Sequence, residues 1–349
     1  MLRLQPFALK SPQSLTEAVE LLSQQRGQAK ILAGGTDLLP NLKHRIYGEV
    51  PMLVSLRRIA GLQRIERQGD ELILGAGVKL AHLEKSELVR QAYPALALTF
   101  GEIASPQIRN MATLGGNLCL DTRCTYINQT EFWREALGGC LKALGDVCHV
   151  VPKGRNCVAA FSADSPIALI ALEAEVDITG PHGERTLLLA ELYNSNGVYH
   201  LNLQPGEIVV RVRVPIVPNR KLAFRKWSVR RAIDFPLVNV ALRIDTTDSG
   251  EIVDAVAVVG VLGAKPRVLD SIEAICAGQT MSAELAEAIG DFVFSQVSAG
   301  AQRTVRSPVP PRHATRAGAP RGAEPNARTA SQRAGLSETL RRARTPISG

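Results

Sequence analysis

Two short turns built on paired glycines constrain this chain more than any other feature. Ile31-Leu32-Ala33-Gly34-Gly35-Thr36-Asp37-Leu38 and Thr113-Leu114-Gly115-Gly116-Asn117 stand about eighty residues apart. In the first, a short apolar strand over residues 30–33 runs into glycines, and a helix opens after Asp37. Glycines at such a corner let backbone N–H groups come close to a phosphate, and a following helix start favours negative charge. Thr36 and Thr113 each add a hydroxyl. Either turn alone is equally well a plain strand–turn–helix corner. Together they suggest two walls around one extended anion such as a pyrophosphate.

The usual nucleotide signatures are missing. After Gly75 and Gly77 a dinucleotide fingerprint needs glycine at position 80, where Leu80 stands, and no G-K-[ST] follows any glycine run. A Rossmann or P-loop enzyme is therefore not indicated.

The rest of the chain alternates strand and helix. Ser14 and Glu17 form a capping box ahead of an apolar face of Leu15, Ala18, Val19 and Leu22. Strands are expected over residues 51–56, 71–74 and 208–215, with a helix over 80–92 and a hairpin turn at 181–183. Residues 224–228, 237–244 and 252–262 read as three antiparallel strands, followed by a helix over 283–297.

The net charge is confined to one end. The net charge of +8 equals the excess of ten Arg over Glu324 and Glu338 within residues 301–349, so residues 1–300 balance. A fold-wide nucleic-acid surface is not indicated, and 4% aromatic content argues against a base-stacking platform. No apolar run reaches the roughly 18 residues of a membrane helix, and the first residues lack a secretory apolar core. The chain reads as cytoplasmic. From about Ser298 an Arg-, Ala- and Pro-rich composition predicts a disordered tail.

Five of the six cysteines fall between Cys119 and Cys157. In a cytosolic chain such clustering points to metal or redox chemistry rather than disulfides. Cys124, Cys140, Cys148 and Cys157 suit either tetrahedral zinc or an iron–sulfur cluster, and their spacing matches neither a zinc ribbon nor a ferredoxin run. Asn128 and Gly138-Gly139 would cap and end a short helix delivering Cys140. Cys119 stays unassigned, and Cys276 reads as core. Lys226, on the strand Phe224-Arg225-Lys226-Trp227, reads by itself as a solvated side chain.

These motifs carry a resemblance. AGGTD at 33–37 and TLGGN at 113–117, with Gln107-Ile108-Arg109-Asn110, resemble the FAD-binding subunits of molybdenum hydroxylases, the xanthine oxidase and carbon monoxide dehydrogenase family. The similarity continues through Gly75-Ala76-Gly77, Ala163-Asp164-Ser165-Pro166, Pro205-Gly206-Glu207-Ile208 and Arg230-Arg231-Ala232-Ile233-Asp234-Phe235, over roughly residues 4 to 295. Asn117 and Asp164, about ten residues apart in most of the family, lie 47 positions apart here. That insertion is similar to the one in β subunits of 4-hydroxybenzoyl-CoA reductases, where it carries a 4Fe–4S cluster.

The resemblance implies an α+β fold. A PCMH-type FAD-binding domain would have two α/β subdomains, residues 1–58 and 59–216, the second carrying the insertion at 119–160. A C-terminal domain over 217–298, with a three-stranded antiparallel sheet and helices, would follow, and a basic tail over 299–349. The family's last helical segment has no counterpart after about Val297, so this domain is expected to be incomplete and the tail to be translated in a shifted frame. FAD would rest on Ile31, Leu32, Ala33, Gly34, Gly35, Thr36, Asp37 and Leu38 and on Thr113, Leu114, Gly115, Gly116 and Asn117. Ile103, Asp164, Val209 and Lys226 would line its ribityl and ring region, and Cys124, Cys140, Cys148 and Cys157 would hold the cluster.

Substrate chemistry would occur on a molybdopterin-binding large subunit, with 2Fe–2S clusters on a small subunit, in a dimer of heterotrimers. Electrons from ferredoxin would pass through 4Fe–4S and FAD for reductive dehydroxylation of 4-hydroxybenzoyl-CoA to benzoyl-CoA. Two alternatives stand beside this. One is the FAD subunit of another hydroxylase with a structural metal insertion; the other is a zinc scaffold whose basic tail binds nucleic acid.

Overall fold

The first glycine turn lies at the carboxyl end of a strand in a small parallel sheet. The computed structural model describes residues 2–25, 27–151, 153–230 and 232–304. Strands β1 (Ala8–Lys10), β2 (Ala29–Leu32) and β3 (Met52–Ser55) pair in parallel in the order β1-β3-β2. Parallel pairing requires crossovers, supplied by helices α1 (Leu15–Gln24) and α2 (Leu38–Lys43). In such sheets ligands gather beyond the carboxyl ends of the strands, where Gly34 and Gly35 stand. Ser14 Oγ accepts the Glu17 N–H at 3.1 Å, and Glu17 reaches back to the Gln13 N–H at 2.9 Å. The cap thus starts α1 so that Ala18, Val19 and Leu22 are buried.

The second layer is an antiparallel sheet of five strands. These are β4 (Ile65–Gln68), β5 (Glu71–Gly75), β6 (Glu175–Gly180), β7 (Gly183–Leu188) and β8 (Ile208–Pro215), in the order β4-β5-β8-β6-β7. Helices α3 (Leu80–Lys85), α4 (Glu87–Ala92), α5 (Pro94–Gly101), α6 (Pro106–Arg109) and α7 (Leu114–Leu118) join β5 to the insertion, and α9 (Ser165–Ala171) follows it. The single helix expected over 80–92 is broken. Ser86 is extended, and its Oγ accepts the Val89 N–H at 3.5 Å, capping α4 anew. Among the described residues the insertion contains one helix, α8 (Glu131–Ala136), capped by Thr130 Oγ1 rather than by Asn128.

The C-terminal sheet has four strands where three were expected. They are β9 (Arg220–Trp227), β10 (Val238–Thr246), β11 (Ile252–Gly260) and β12 (Arg267–Leu269), antiparallel in the order β12-β11-β10-β9. The missed strand is three residues long, too short for a periodic signal. One face joins the main core through Phe224, Ala241 and Val258, against α9 and α5. The other packs on α10 (Glu273–Cys276) and α11 (Ala283–Thr304), burying Ile289, Val293 and Cys276. Helix α11 extends past Val297 to Thr304; the tail expected to be disordered or frame-shifted otherwise lies outside the described residues from 305 on. Among the described residues no helix is long and apolar enough to cross a membrane.

Candidate functional site

Both glycine turns open onto one cavity of about 1610 Å³, larger than a typical small-molecule pocket. The first turn touches the segment that leads into the second. A Cβ on Gly34 would lie 2.3 Å from the Met111 carbonyl oxygen, so only glycine lets the first turn reach the segment ahead of the second.

The turns present different chemistry. Among the described residues, the N–H groups of Gly34, Gly35, Thr36 and Asp37 make no hydrogen bond to protein. Successive free amides of this kind form an anion-binding nest. The second turn is closed instead. Its N–H groups at Leu114, Gly115, Gly116 and Asn117 donate to Val78 O, Ala76 O, Thr113 Oγ1 and Thr113 O at 2.8–3.2 Å. The amides of the second turn are therefore already bonded within the protein, and those of the first are not. Thr113 spends its oxygen on capping α7, and its O–H remains as a donor. The Asn117 side-chain oxygen accepts from Ser165 Oγ at 2.6 Å and pins α9 to this turn.

Of the expected first-wall residues, Ile31, Ala33, Gly34, Gly35, Thr36, Asp37 and Leu38 line the cavity. Thr113, Gly115, Gly116, Asn117, Ile103, Asp164, Val209 and Lys226 line it too. Leu32 and Leu114 do not. Strand alternation turns Leu32 to the opposite face, against the cluster around Leu42 and Leu53, and Leu114 is fully buried in the main core.

A buried ion pair lies on another part of the wall. Lys226 Nζ donates to Asp164 Oδ2 at 2.8 Å and to the Glu102 carbonyl at 3.0 Å, and Asn239 Nδ2 donates to Asp164 Oδ1 at 2.8 Å. Lys226 is thus held inside rather than on a solvated strand face. Burial pushes the Asp164 carboxyl up, against the opposing pull of Lys226 and Asn239. Asn239 was missed by the sequence reading. Its signal was there: a polar residue with no exposure inside the apolar run Val238-Asn239-Val240-Ala241. A Cβ on Gly260 would stand 2.0 Å from Asn239 Oδ1, so glycine makes room for this side chain.

The insertion adds a third wall. Arg123, Glu131, Arg134, Gly139, Lys142 and Leu144 line the cavity. Arg134 Nη2 donates to the His44 carbonyl at 2.6 Å and Arg45 pairs with Glu131 at 3.0 Å, fastening the insertion to the end of α2. Arg123 pairs with Asp37 and stands over the Phe235 ring at 5.4 Å. Cys119 also faces the cavity, where burial pushes its thiol up to about 12.

Cys124, Cys140, Cys148 and Cys157 surround a second cavity of only about 20 Å³. Backbone N–H groups of Tyr126, Val151 and Ala159 point at the sulfurs of Cys124, Cys148 and Cys157 at 3.4–3.5 Å. Among the described residues, no three of His, Cys, Asp or Glu are gathered closely enough to hold a metal ion. The expected metal site is thus not closed. The donor set itself, four thiols with N–H groups aimed at three of them, suits a cluster in kind.

His200, in the cavity wall, contacts the Leu120 carbonyl through Nε2 at 2.9 Å. Burial lowers its pKa to about 4, with Asp121 opposing. The unfolded chain, near 6.5, binds one more proton between those values, so stability falls as pH drops through that window. The expected loss is roughly 3 kcal/mol. Urea unfolding at pH 7 and pH 4.5 should show it, and His200→Gln should reduce the difference by about that amount.

Comparison with known proteins gives a consistent result. Residues 5–217 match the family described as the FAD binding domain in molybdopterin dehydrogenase, and 223–306 match the CO dehydrogenase flavoprotein C-terminal domain. The FAD-binding subunit of aldehyde oxidoreductase from Escherichia coli (strain K12) is 33% identical, over 83% of this chain and 91% of its own length. The medium subunit of nicotine 6-hydroxylase from Paenarthrobacter nicotinovorans is 30% identical, over 83% and 87%. A crystal structure of Cu,Mo-CO dehydrogenase superposes with a TM-score of 0.70 at 23% identity, over 98% of this chain and 99% of the other, a likeness of fold.

Proposed function

Because the chain belongs to the FAD-binding subunits of the molybdopterin dehydrogenases, the molybdenum hydroxylase family, we propose that it is the flavin-carrying electron-transfer subunit of such an oxidoreductase. The observation that carries this is the run of free amides at Gly34–Asp37, in the wall of a cavity large enough for an extended dinucleotide. Those amides and the Thr113 hydroxyl would hold the pyrophosphate of FAD. Asp164 and Lys226 would present a carboxylate and an ammonium to polar edges of the ring system or ribityl chain, and Ile103 and Val209 would exclude water beside it. When bound, FAD supplies one- and two-electron transfer. Substrate chemistry would lie on a large molybdopterin subunit, with 2Fe–2S clusters on a small one, in a dimer of heterotrimers in the cytoplasm.

The cysteine-rich insertion favours a finer reading. Four thiols on one cavity, with backbone N–H groups aimed at three of them, suit a 4Fe–4S cluster on Cys124, Cys140, Cys148 and Cys157. That set supports assignment to the 4-hydroxybenzoyl-CoA reductase type, with ferredoxin as donor and benzoyl-CoA as product. The second reading is an oxidative hydroxylase flavin subunit with a structural insertion. It is favoured by relatives named as subunits of an aldehyde oxidoreductase and a nicotine 6-hydroxylase.

One anaerobic sample, assayed for flavin, iron, zinc and acid-labile sulfide, separates the two. About four irons and four sulfides per flavin are expected for the cluster. Flavin without sulfide removes it and leaves the second reading.

A further inference from the structure

Two carboxylates face a cavity that must accept an anion. Asp37 and Asp121 both line it. Each is paired with a cation from the segment that carries the cysteines, and Lys30 of β2, also in the cavity wall, adds a second attraction to Asp121. Arg123 pairs with Asp37. Lys142 Nζ lies 2.6 Å from Asp121 Oδ1, and it also donates to Thr122 Oγ1 at 2.5 Å and the Gly197 carbonyl at 2.9 Å. Its side chain is 5% exposed.

The two ion pairs form one network behind the first turn. Tyr47 Oη donates to Asp121 Oδ2 at 2.8 Å and accepts from Asn41 Nδ2 at 3.0 Å. Asn41 Nδ2 also reaches Asp37 Oδ2 at 3.2 Å. Lys142 belongs to both cavities, since it lines the thiol cavity as well. A carboxylate left without its cation beside a diphosphate in a partly dry site would repel it strongly.

We propose that the cysteine-rich insertion sets the charge of the dinucleotide cavity, with Lys142 neutralising Asp121 so that an anionic diphosphate can enter. This rests on the reading that the cavity binds FAD. Lys142 is a positioning residue whose fixed charge, rather than any contact with the reacting ring, makes the insertion part of the flavin site. The inference needs no metal on the thiols.

The test is FAD binding to flavin-free, metal-free full-length protein, followed by flavin fluorescence. Lys142→Met should raise the dissociation constant about tenfold or more. Asp121→Asn should leave it unchanged or lower it, because it frees a cation. The double variant should return to within about threefold of wild type. These opposite signs separate charge from structure, since a merely structural pair would make every variant weaker. If K142M fails to fold, D121N and the double variant carry the test. Weaker binding by D121N, or a double variant as weak as K142M, overturns the proposal. Wild-type protein that binds no FAD overturns the flavin reading itself, and this inference with it.

Discussion

Gly34→Ala should cost the protein its FAD and a few kcal/mol of stability. The added methyl would stand 2.3 Å from the Met111 carbonyl oxygen and 2.8 Å from the Ala112 Cα. Both are backbone atoms, so no side chain can rotate out of the way. The first turn must withdraw from the segment that leads into Thr113. That displaces the free amides at Gly34, Gly35, Thr36 and Asp37 relative to the opposite wall. FAD affinity should fall by two orders of magnitude or more, read by fluorescence titration, and the melting temperature should drop. Gly116→Ala is the comparison for stability. Its Cβ meets only Thr113 Oγ1, at 3.0 Å, and alanine suits a helical position, so the fold should hold.

Lys226→Met should be the most destabilising single change at the site. Asp164 is 3% exposed, and the Lys226 side chain stands 2.8 Å away at 7% exposure. Without the ammonium, the carboxylate keeps only Asn239 Nδ2 as a side-chain partner. Breaking one side of such a pair costs roughly 3–5 kcal/mol, whereas removing both charges costs far less. Urea unfolding should therefore place Lys226→Met well below wild type and the Lys226→Met/Asp164→Asn double variant close to it. A double variant no more stable than the single would mean that the pair's charge is not what holds β9 to the start of α9.

The first turn was legible because its glycines have a local cause: a strand must stop and the backbone must come close. The apolar faces of α1, β8 and β10 were legible for the same reason, since periodicity reports burial directly. What local pattern could not show is where an amide's hydrogen bond goes. The second glycine turn looks like the first in sequence, yet its amides are spent on Ala76, Val78 and Thr113. Long-range pairs were also hidden. Lys226 read as a surface residue until a partner 62 positions away in the chain was set beside it. Lys142 sits unremarked between two cysteines, and only folding brings it to Asp121. The four cysteines were legible as a group that shares one cavity, but their spacing could not say whether a metal closes it.

The most direct measurement compares FAD with FMN on flavin-free protein by calorimetry. The first turn's amides would grip a pyrophosphate, which FMN lacks. One FAD should bind per chain, and FMN should bind at least a hundredfold more weakly. Equal affinity for the two, or no binding of either, would contradict the assignment of Gly34–Asp37 as the pyrophosphate site.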